Sequence, residues 1–222
     1  LDFGCATGTA KRFLKLSFKE NQYQYKGVDI SSPVIERAKK LYSESEFELI
    51  EKNSNFLKSN KFDIVYSRDT VLHQEKPYDF IDSLLNSAKK SLILRLRTRD
   101  IGATIFDKNL SCQMHYDNYW MPYIVLNIDE LINFFFEKKR VKSIIINKSY
   151  EVLGGHNQRY LPKDLYFKKS GCAETSILID LGKDKDCNNK KIIIDSDLEG
   201  NILLSKKRFI SLFYRIISKF GL

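Results

Sequence analysis

The stretch Leu1-Asp2-Phe3-Gly4-Cys5-Ala6-Thr7-Gly8 opens the chain and governs the interpretation of everything after it. Its apolar start predicts a short β-strand, its small residues predict a tight turn, and the amphipathic run 11–18 predicts a helix. Strand, turn and helix in this order form a ligand-binding corner of an open α/β sheet. Glycine suits the turn because the backbone bends sharply there and approaches a ligand closely.

A carboxylate follows at the end of the second predicted strand, 25–30. Asp29 lies 21 residues after Gly8, the separation expected of an acidic residue that bonds ribose hydroxyls. Dinucleotide enzymes use Gly-x-Gly-x-x-Gly, which read from Gly4 needs glycine at position 9, where this chain has Thr9. The spacing therefore favours a nucleoside ligand and disfavours a dinucleotide oxidoreductase.

The turn resembles motif I of the class I S-adenosylmethionine-dependent methyltransferases, in which an acidic residue precedes Gly-x-Gly-x-Gly. The matching residues are Asp2, Gly4, Ala6 and Gly8. Ala6 replaces the middle glycine, which is tolerable if its φ angle is negative. The resemblance implies S-adenosylmethionine as cofactor, with the matching residues at its methionine part and Asp29 at its ribose. It also implies an adenine contact after a third strand at 47–50, for which Asn53 is the candidate and Glu51 the alternative.

A second match covers residues 62–73. Phe62-Asp63 opens an apolar run that predicts the fourth strand, which continues as Ser67-Arg68-Asp69 with His73 four residues later. This pattern resembles family members that methylate small molecules and sugars, and implies that Ser67, Arg68 and Asp69 line the cofactor site. Methyltransferases acting on amino groups of DNA bases carry an Asp/Asn-Pro-Pro-aromatic turn there, and its absence argues against that substrate.

The base for methylation of a hydroxyl is sought among the three histidines, His73, His115 and His156. A general base adds roughly 10²–10⁴ in rate. His115 lies in a segment expected to contact the acceptor, and His73 matches the family's histidine after the fourth strand, which is often structural. We place His115, His73 and Asp69 in the catalytic group, with His156 a weaker candidate.

Strand five is predicted at 91–99, after a helix at 77–90. Period 2 places Arg95, Arg97 and Arg99 on one face. These arginines either pair with carboxylates of the chain or, for the last two, bind an anionic group of the acceptor at the carboxyl edge of the sheet.

Residues 100–127 are an insertion without clear period, rich in aromatic residues, which favours either a substrate lid or a packed surface loop. Tyr116 and Trp120 are its candidates for acceptor contact. A second polar excursion covers residues 149–174.

The resemblance implies a Rossmann-like three-layer α/β sandwich. We expect a mostly parallel seven-stranded sheet of order 3-2-1-4-5-7-6 whose last strand is antiparallel. The methyltransferase domain is predicted over residues 1–181, without the helices that usually precede the first strand of this fold. Residues 182–222 are predicted to be a polar linker and a basic amphipathic tail.

The net charge of +9 makes nucleic acid a possible partner. We do not favour it, because five basic residues without an acid in the last 17 positions supply five of the nine net charges, and no separate RNA-binding module is visible. The tail helix is expected to contact its own domain, a dimer mate or an anionic membrane surface.

Four cysteines without a C-x-x-C pair predict free thiols and a cytoplasmic protein, with peripheral binding at the inner membrane surface as the alternative. Zinc ligation by Cys112-x-x-His115 with Cys172 and Cys187 has irregular spacing, so no metal is predicted.

The sequence thus predicts an S-adenosylmethionine-dependent methyltransferase of class EC 2.1.1. The favoured reaction is O-methylation of a small molecule or of a sugar of a surface glycan. The alternatives are an RNA methyltransferase and a catalytically silent Rossmann-like binding module.

Overall fold

The computed structural model describes residues 1–42, 46–52, 54–115, 118–154, 158–182 and 191–197. Among the sequence candidates, Asn53, Tyr116, His156 and Cys187 lie outside these ranges. The predicted tail from residue 206 and most of the predicted linker lie outside them as well.

Twelve strands are present in the described part of the chain. They are β1 (Asp2–Phe3), β2 (Gly27–Asp29), β3 (Phe47–Leu49), β4 (Phe62–Arg68), β5 (Ala88–Arg99), β6 (Cys112–Met114), β7 (Trp120–Pro122), β8 (Leu126–Asn127), β9 (Val141–Tyr150), β10 (Arg159–Tyr160), β11 (Ala173–Leu181) and β12 (Lys191–Asp197). The α-helices are α1 (Thr9–Ser17), α2 (Ser32–Leu41), α3 (Phe56–Ser59), α4 (Pro77–Ser87) and α5 (Ile128–Glu137).

The main sheet has the order β12-β9-β11-β5-β4-β1-β2-β3, with β8 attached to the end of β5. The part from β9 to β3 reproduces the predicted order, and β11 is antiparallel to both of its neighbours as predicted. The predicted fold class is therefore confirmed. β12 is an additional strand beyond the predicted seven, parallel to β9.

The boundary between the fourth helix and the fifth strand differs from the prediction. α4 ends at Ser87, and β5 starts at Ala88 because it pairs with Phe62 from that residue onward. Lys89 and Lys90, which the predicted helix 77–90 included, instead occupy the exposed start of the strand.

The main core lies between the sheet and helices α3, α4 and α5. Its largest fully buried side chains include Ile81, Leu84, Leu92, Leu131, Phe135 and Ile144. α5 begins at a built cap, where the Asn127 side chain accepts the backbone N–H groups of Asp129 and Glu130 at 2.9 and 3.0 Å. None of the helices that the structure describes is long and apolar enough to cross a membrane.

The two insertions fold together. β10, β6 and β7 form a separate antiparallel sheet, and we call this sheet with the loops around it, 101–125 and 151–172, the cap. The expectation of an irregular stretch at 100–127 is thus wrong, because these short strands satisfy their hydrogen bonds across two insertions distant in sequence. A second apolar cluster holds the cap to residues 71–73, and the Ile124 N–H donates to the Leu72 carbonyl at 2.8 Å.

Candidate functional site

The turn between β1 and α1 passes three times through the left-handed region of backbone space. The φ angles are 76° at Gly4, 48° at Ala6 and 84° at Gly8. A side chain at Gly8 would place its Cβ 2.8 Å from Tyr42, and one at Gly4 would overlap Thr70. Both glycines are therefore required by conformation and by space.

Ala6 does not meet the condition under which alanine would be tolerable in this turn, because its φ angle is positive. A left-handed alanine costs about 1–2 kcal/mol. The conformation serves a contact, because it directs the Ala6 N–H to the Asp29 carboxylate at 2.9 Å. The turn is thus held at the expense of backbone strain at the residue that replaces the usual glycine.

Asp29 is fixed by two backbone donors. Its Oδ2 accepts from Ala6 and its Oδ1 accepts from the Ser31 N–H at 3.0 Å. Each carboxylate oxygen keeps one further lone pair, and the side chain is only partly buried. The carboxylate is therefore oriented and still able to accept two hydroxyl groups, as binding of a ribose diol requires.

Asp2 lies behind the turn. It is 4% exposed and accepts the Tyr25 hydroxyl at 2.6 Å. Burial raises the pKa of Asp2 to about 6, and the hydrogen bond from Tyr25 opposes that shift. The Asp2 carboxylate thus links β1 to the segment that leads into β2. Its contact with the cofactor stays a prediction.

Ser67 joins β4 to the same turn. The residue is fully buried, its hydroxyl donates to the Phe3 carbonyl at 3.1 Å, and it also bonds the Thr70 hydroxyl. Arg68, next in sequence, is exposed, and its Nε lies 3.3 Å from Asp69 Oδ2. Ser67 thus supports the floor of the site from within, while Arg68 stands at its rim.

Asp69 is left-handed as well, with φ 54°. Its Oδ2 accepts from Arg95 Nη1 at 2.7 Å, whereas its Oδ1 is buried without a hydrogen-bond partner among the described residues. A buried acceptor without a donor costs about 1–3 kcal/mol, and native proteins rarely leave one unless a ligand supplies the partner. Asp69 Oδ1 is therefore a candidate ligand-binding atom.

Asp69 belongs to an arginine–carboxylate network that spans β4, β5, β11 and the end of β9. Its members are Arg68, Asp69, Arg95, Arg97, Glu151 and Glu174. Three positive and three negative groups make the network neutral.

Glu174 is the centre of this network. It accepts the Arg95 Nε at 2.6 Å and lies 3.1 Å from Arg97 Nη1, while Arg97 also pairs with Glu151. Burial tends to raise the pKa of Glu174, but Arg95 and Arg97 outweigh it and the net pKa is lowered. Burial prevails at Glu151, whose pKa is raised.

Arg99 completes the predicted row of arginines. Its guanidinium is 3% exposed, pairs with Asp164 and donates from Nε to the Ile101 carbonyl at 2.7 Å. All three arginines share one face as expected, and acids of the chain pair with each of them. Contacts of Arg97 and Arg99 with an acceptor therefore stay predictions, because in this arrangement their charges are already matched.

His73 is held at one nitrogen. Its Nδ1 lies 2.9 Å from the Pro122 carbonyl on β7, and since a carbonyl only accepts, Nδ1 carries the proton and Nε2 is bare. Burial lowers the pKa of His73, so the ring is neutral at pH 7. Its ring meets Tyr123 edge-on at a centroid distance of 5.9 Å. The structure thus presents a neutral imidazole with one defined basic nitrogen.

His115 and Trp120 lie on the cap. The His115 ring stacks on Tyr119 at 4.7 Å, and a charge on His115 would lower the pKa of His73 further. Trp120 is 43% exposed and packs on Tyr160 at 5.2 Å. The cap thus brings His115 to the His73 side of the sheet and leaves Trp120 on an open surface.

Sequence reasoning missed four residues that surround His73 and the network. They are Tyr123, Glu151, Arg159 and Glu174. Arg159 lies 4.6 Å from the Tyr123 ring centre, and its Nε is buried without a hydrogen-bond partner in the described ranges. Glu174 stands opposite Arg97 in the β5–β11 pairing. The sequence predicts the last strand only from Thr175, whereas β11 begins at Ala173, so this pairing was missed.

No metal centre is indicated by the described residues, which hold no group of three or more His, Cys, Asp or Glu able to bind one. Cys5, Cys112 and Cys172 are free and buried. Burial raises the pKa of all three thiols, that of Cys172 to about 12.

Comparison with known proteins supports the resemblance noted in the sequence. Residues 1–93 match the family model described as a methyltransferase domain. Phosphoethanolamine N-methyltransferase 1 of Arabidopsis thaliana is 37% identical over 82 residues, which cover 35% of this chain and 16% of that protein.

Solved structures share the fold at low identity. The N-terminal domain of EvdMO1, with S-adenosylhomocysteine and D-fucose, gives a TM-score of 0.53 at 13% identity and covers 82% of this chain and 75% of that one. An O-methyltransferase of a Brevibacillus brevis polyketide multienzyme, with S-adenosylhomocysteine, gives 0.51 at 11% identity over 86% and 72% of the chains.

The chain is thus similar to the methyltransferase domain over residues 1–93 and shares the fold of solved class I S-adenosylmethionine-dependent methyltransferases. The enzyme class and the cofactor that the sequence predicts agree with this similarity. The corner fits this cofactor, because Asp29 offers two oriented acceptors and Asp69 a buried one. The chain spans about a sixth of the curated relative that it matches, so the activity of the whole protein and its acceptor are proposals.

Proposed function

We propose that this methyltransferase methylates a hydroxyl group of a small molecule or of a sugar of a surface glycan, with His73 as the general base. The observation that carries the proposal is the 2.9 Å contact between His73 Nδ1 and the Pro122 carbonyl. It leaves Nε2 as the basic atom, on a ring that the fold holds in place. A base of this kind is what a hydroxyl acceptor needs, since the hydroxyl must lose its proton as it is methylated.

The cofactor supplies a methyl group already activated on a sulfonium. The chain's own task is therefore to position the reactants and to take up a proton. Asp29 holds the ribose and the glycine turn shapes the adjoining wall. Ser67 keeps the turn and β4 together, which fixes Asp69 and His73 on the segment that follows. We also assign Arg68, which lies at the rim of the site, to contact with the cofactor.

His73 is preferred over His115 because of what surrounds each ring. His73 is anchored to both the core segment 71–73 and β7, and its lowered pKa keeps it unprotonated at pH 7. His115 follows a three-residue strand of the cap and stacks on a partly exposed tyrosine. We assign His115 to contact with the acceptor, together with Trp120 and with Tyr116, which lies outside the described residues.

An amine acceptor is the second candidate. Asp69 Oδ1 is a buried acceptor without a described donor, and an N–H group would supply one. The Arabidopsis relative is named for N-methylation of phosphoethanolamine. An uncharged amine already carries the lone pair that attacks a methyl group, so in this case His73 would only accept the proton released from an ammonium.

The neutral arginine–carboxylate network gives no support to a polyanionic acceptor, so an RNA substrate remains the weaker alternative. A cytoplasmic location also stays a prediction.

The experiment measures formation of S-adenosylhomocysteine with sugar hydroxyls and with phosphoethanolamine, using the wild type, His73→Gln and His115→Gln. We expect His73→Gln to lower kcat for a hydroxyl acceptor about 10²–10⁴-fold, and His115→Gln mainly to raise KM. Because the reactive form of His73 is unprotonated, wild-type kcat should hold as pH falls to 6.5 and drop only below it.

Calorimetry with S-adenosylhomocysteine controls for cofactor binding, which both variants should retain. Full activity of His73→Gln would overturn the assignment of the base. Binding of the cofactor without turnover of any acceptor would instead favour the silent binding module.

A further inference from the structure

β12 forms one edge of the main sheet. It pairs along its whole length with β9, and within the described residues no strand pairs with its other side. Its isoleucines, Ile192, Ile193 and Ile194, are 36%, 43% and 54% exposed. An exposed edge strand with three consecutive apolar residues is a template for pairing with another strand.

The sequence of β12 is self-complementary when it is read against itself in reverse. With Ile193 opposite Ile193 of a second strand, Ile192 faces Ile194, and Lys191 faces Asp195. Lys191 and Asp195 are both exposed, and opposite charges directly across an antiparallel pair stabilise it. Since side chains alternate between the two faces of a strand, one face would carry four isoleucines and the other an isoleucine pair between two ion pairs.

We propose that β12 pairs antiparallel with β12 of a second copy of this chain, about a two-fold axis at Ile193. A two-fold axis demands a surface that is complementary to itself, which this charge pattern provides. Moving the axis to Ile194 would place Ile193 opposite Asp195, so the pattern also selects one register. The two main sheets then join into one continuous sheet.

The dimer is expected to be weak. A strand of seven residues is about 24 Å long at 3.4 Å per residue, and pairing along such an edge buries less than the roughly 1,000 Å² typical of a stable interface. The association should therefore depend on protein concentration.

Sedimentation velocity of the full 222-residue chain over a range of concentrations tests the proposal. The wild type should move from its 26.0 kDa monomer to twice that mass as concentration rises. Lys191→Asp alone and Asp195→Lys alone each put like charges opposite each other twice, and should raise the dissociation constant about tenfold or more.

Two further samples test the register. The double variant K191D/D195K restores both ion pairs and should dimerise like the wild type. An equimolar mixture of the two single variants should form a heterodimer, because one strand then carries only Asp and the other only Lys at these positions. Thermal melting of each dilute variant checks that the monomer remains folded.

A wild type that stays monomeric at every concentration would overturn the proposal. This is the result expected if residues that follow β12 in the chain cover its free edge. Single variants that dimerise as well as the wild type would also overturn it, since the contact would then lie elsewhere.

Discussion

Replacing Glu174 with glutamine tests the arginine–carboxylate network at its centre. The substitution keeps the shape of the side chain and removes one negative charge that faces two arginines. Arg95 and Arg97 have side chains that are 15% and 17% exposed, and Glu174 is 32% exposed. Without it, three positive charges face two negative ones in a site that is mostly shielded from water.

The magnitude lies between two limits. Removing one partner of a fully buried ion pair costs about 3–5 kcal/mol, and an exposed pair contributes about 0–1 kcal/mol. Since the arginines are largely buried and the glutamate is not, we expect Glu174→Gln to lower the free energy of unfolding by about 2–3 kcal/mol. For a chain of this size the melting temperature should fall by about 4–12 °C.

The effect should depend on pH with a defined sign. The pKa of Glu174 is lowered below its ordinary value of 4.5 in the folded protein. Its stabilising contribution is therefore fully present above pH 4.5 and is lost as pH falls through the lowered pKa. The difference between wild type and variant should be largest at pH 7 and should shrink below pH 4.5.

Urea unfolding followed by circular dichroism at pH 7 and pH 3.5 measures both quantities. Glu48→Gln is the matched control, because Glu48 pairs with Lys26 at 2.7 Å and both side chains are more exposed, at 45% and 31%. The control should cost about 0–1 kcal/mol. Equal losses for the two variants, or a loss at Glu174 that does not change with pH, would refute the reasoning.

Two further predictions concern the cofactor corner. Asp29→Asn should weaken binding of S-adenosylhomocysteine by about tenfold or more, since it removes a charged acceptor of ribose hydroxyls; unchanged affinity by calorimetry would contradict the ribose assignment. Ala6→Gly should stabilise the protein by about 0.5–1 kcal/mol in the same urea assay, because relief of left-handed strain exceeds the added entropy of the unfolded chain; a lower stability would contradict the strain at Ala6.

The cofactor corner was predictable because its geometry is local. Gly4, Gly8 and Asp29 lie within the first 29 residues, and each is constrained by a turn or a strand end that can be recognised in the sequence. The conformation of Ala6 was not predictable, because its left-handed φ angle accompanies the hydrogen bond to Asp29 and is not the preferred conformation of alanine. The order of the sheet was predicted from the resemblance to the family. β12 has no counterpart among the predicted seven strands.

The arginine–carboxylate network was only partly predictable, because its residues come from distant parts of the chain. Arg95 and Arg97 were predicted to share a face, but their partners Glu151 and Glu174 lie 54 to 79 residues away in sequence. No period or motif links these acids to β5. The pairing of β11 with β5 places Glu174 opposite Arg97, and the pairing of β9 with β11 brings Glu151 to the same place.

The segment from Asp69 to His73 is held by the main sheet at one end and by the cap at the other. β5 carries Arg95, which donates to the Asp69 carboxylate, and the segment from Asp69 to His73 follows directly from β4. The cap then fixes the ring of His73 through Pro122, and its own position depends on the apolar cluster that contains Leu72 and Tyr123. A change in the cap that shifts β7 should therefore alter the proton-accepting nitrogen of His73 without touching the cofactor corner. In the proposed function the two tasks lie in separate parts of the fold. The corner would bind the cofactor through local backbone geometry, and the cap would orient His73 as the base through contacts between distant segments.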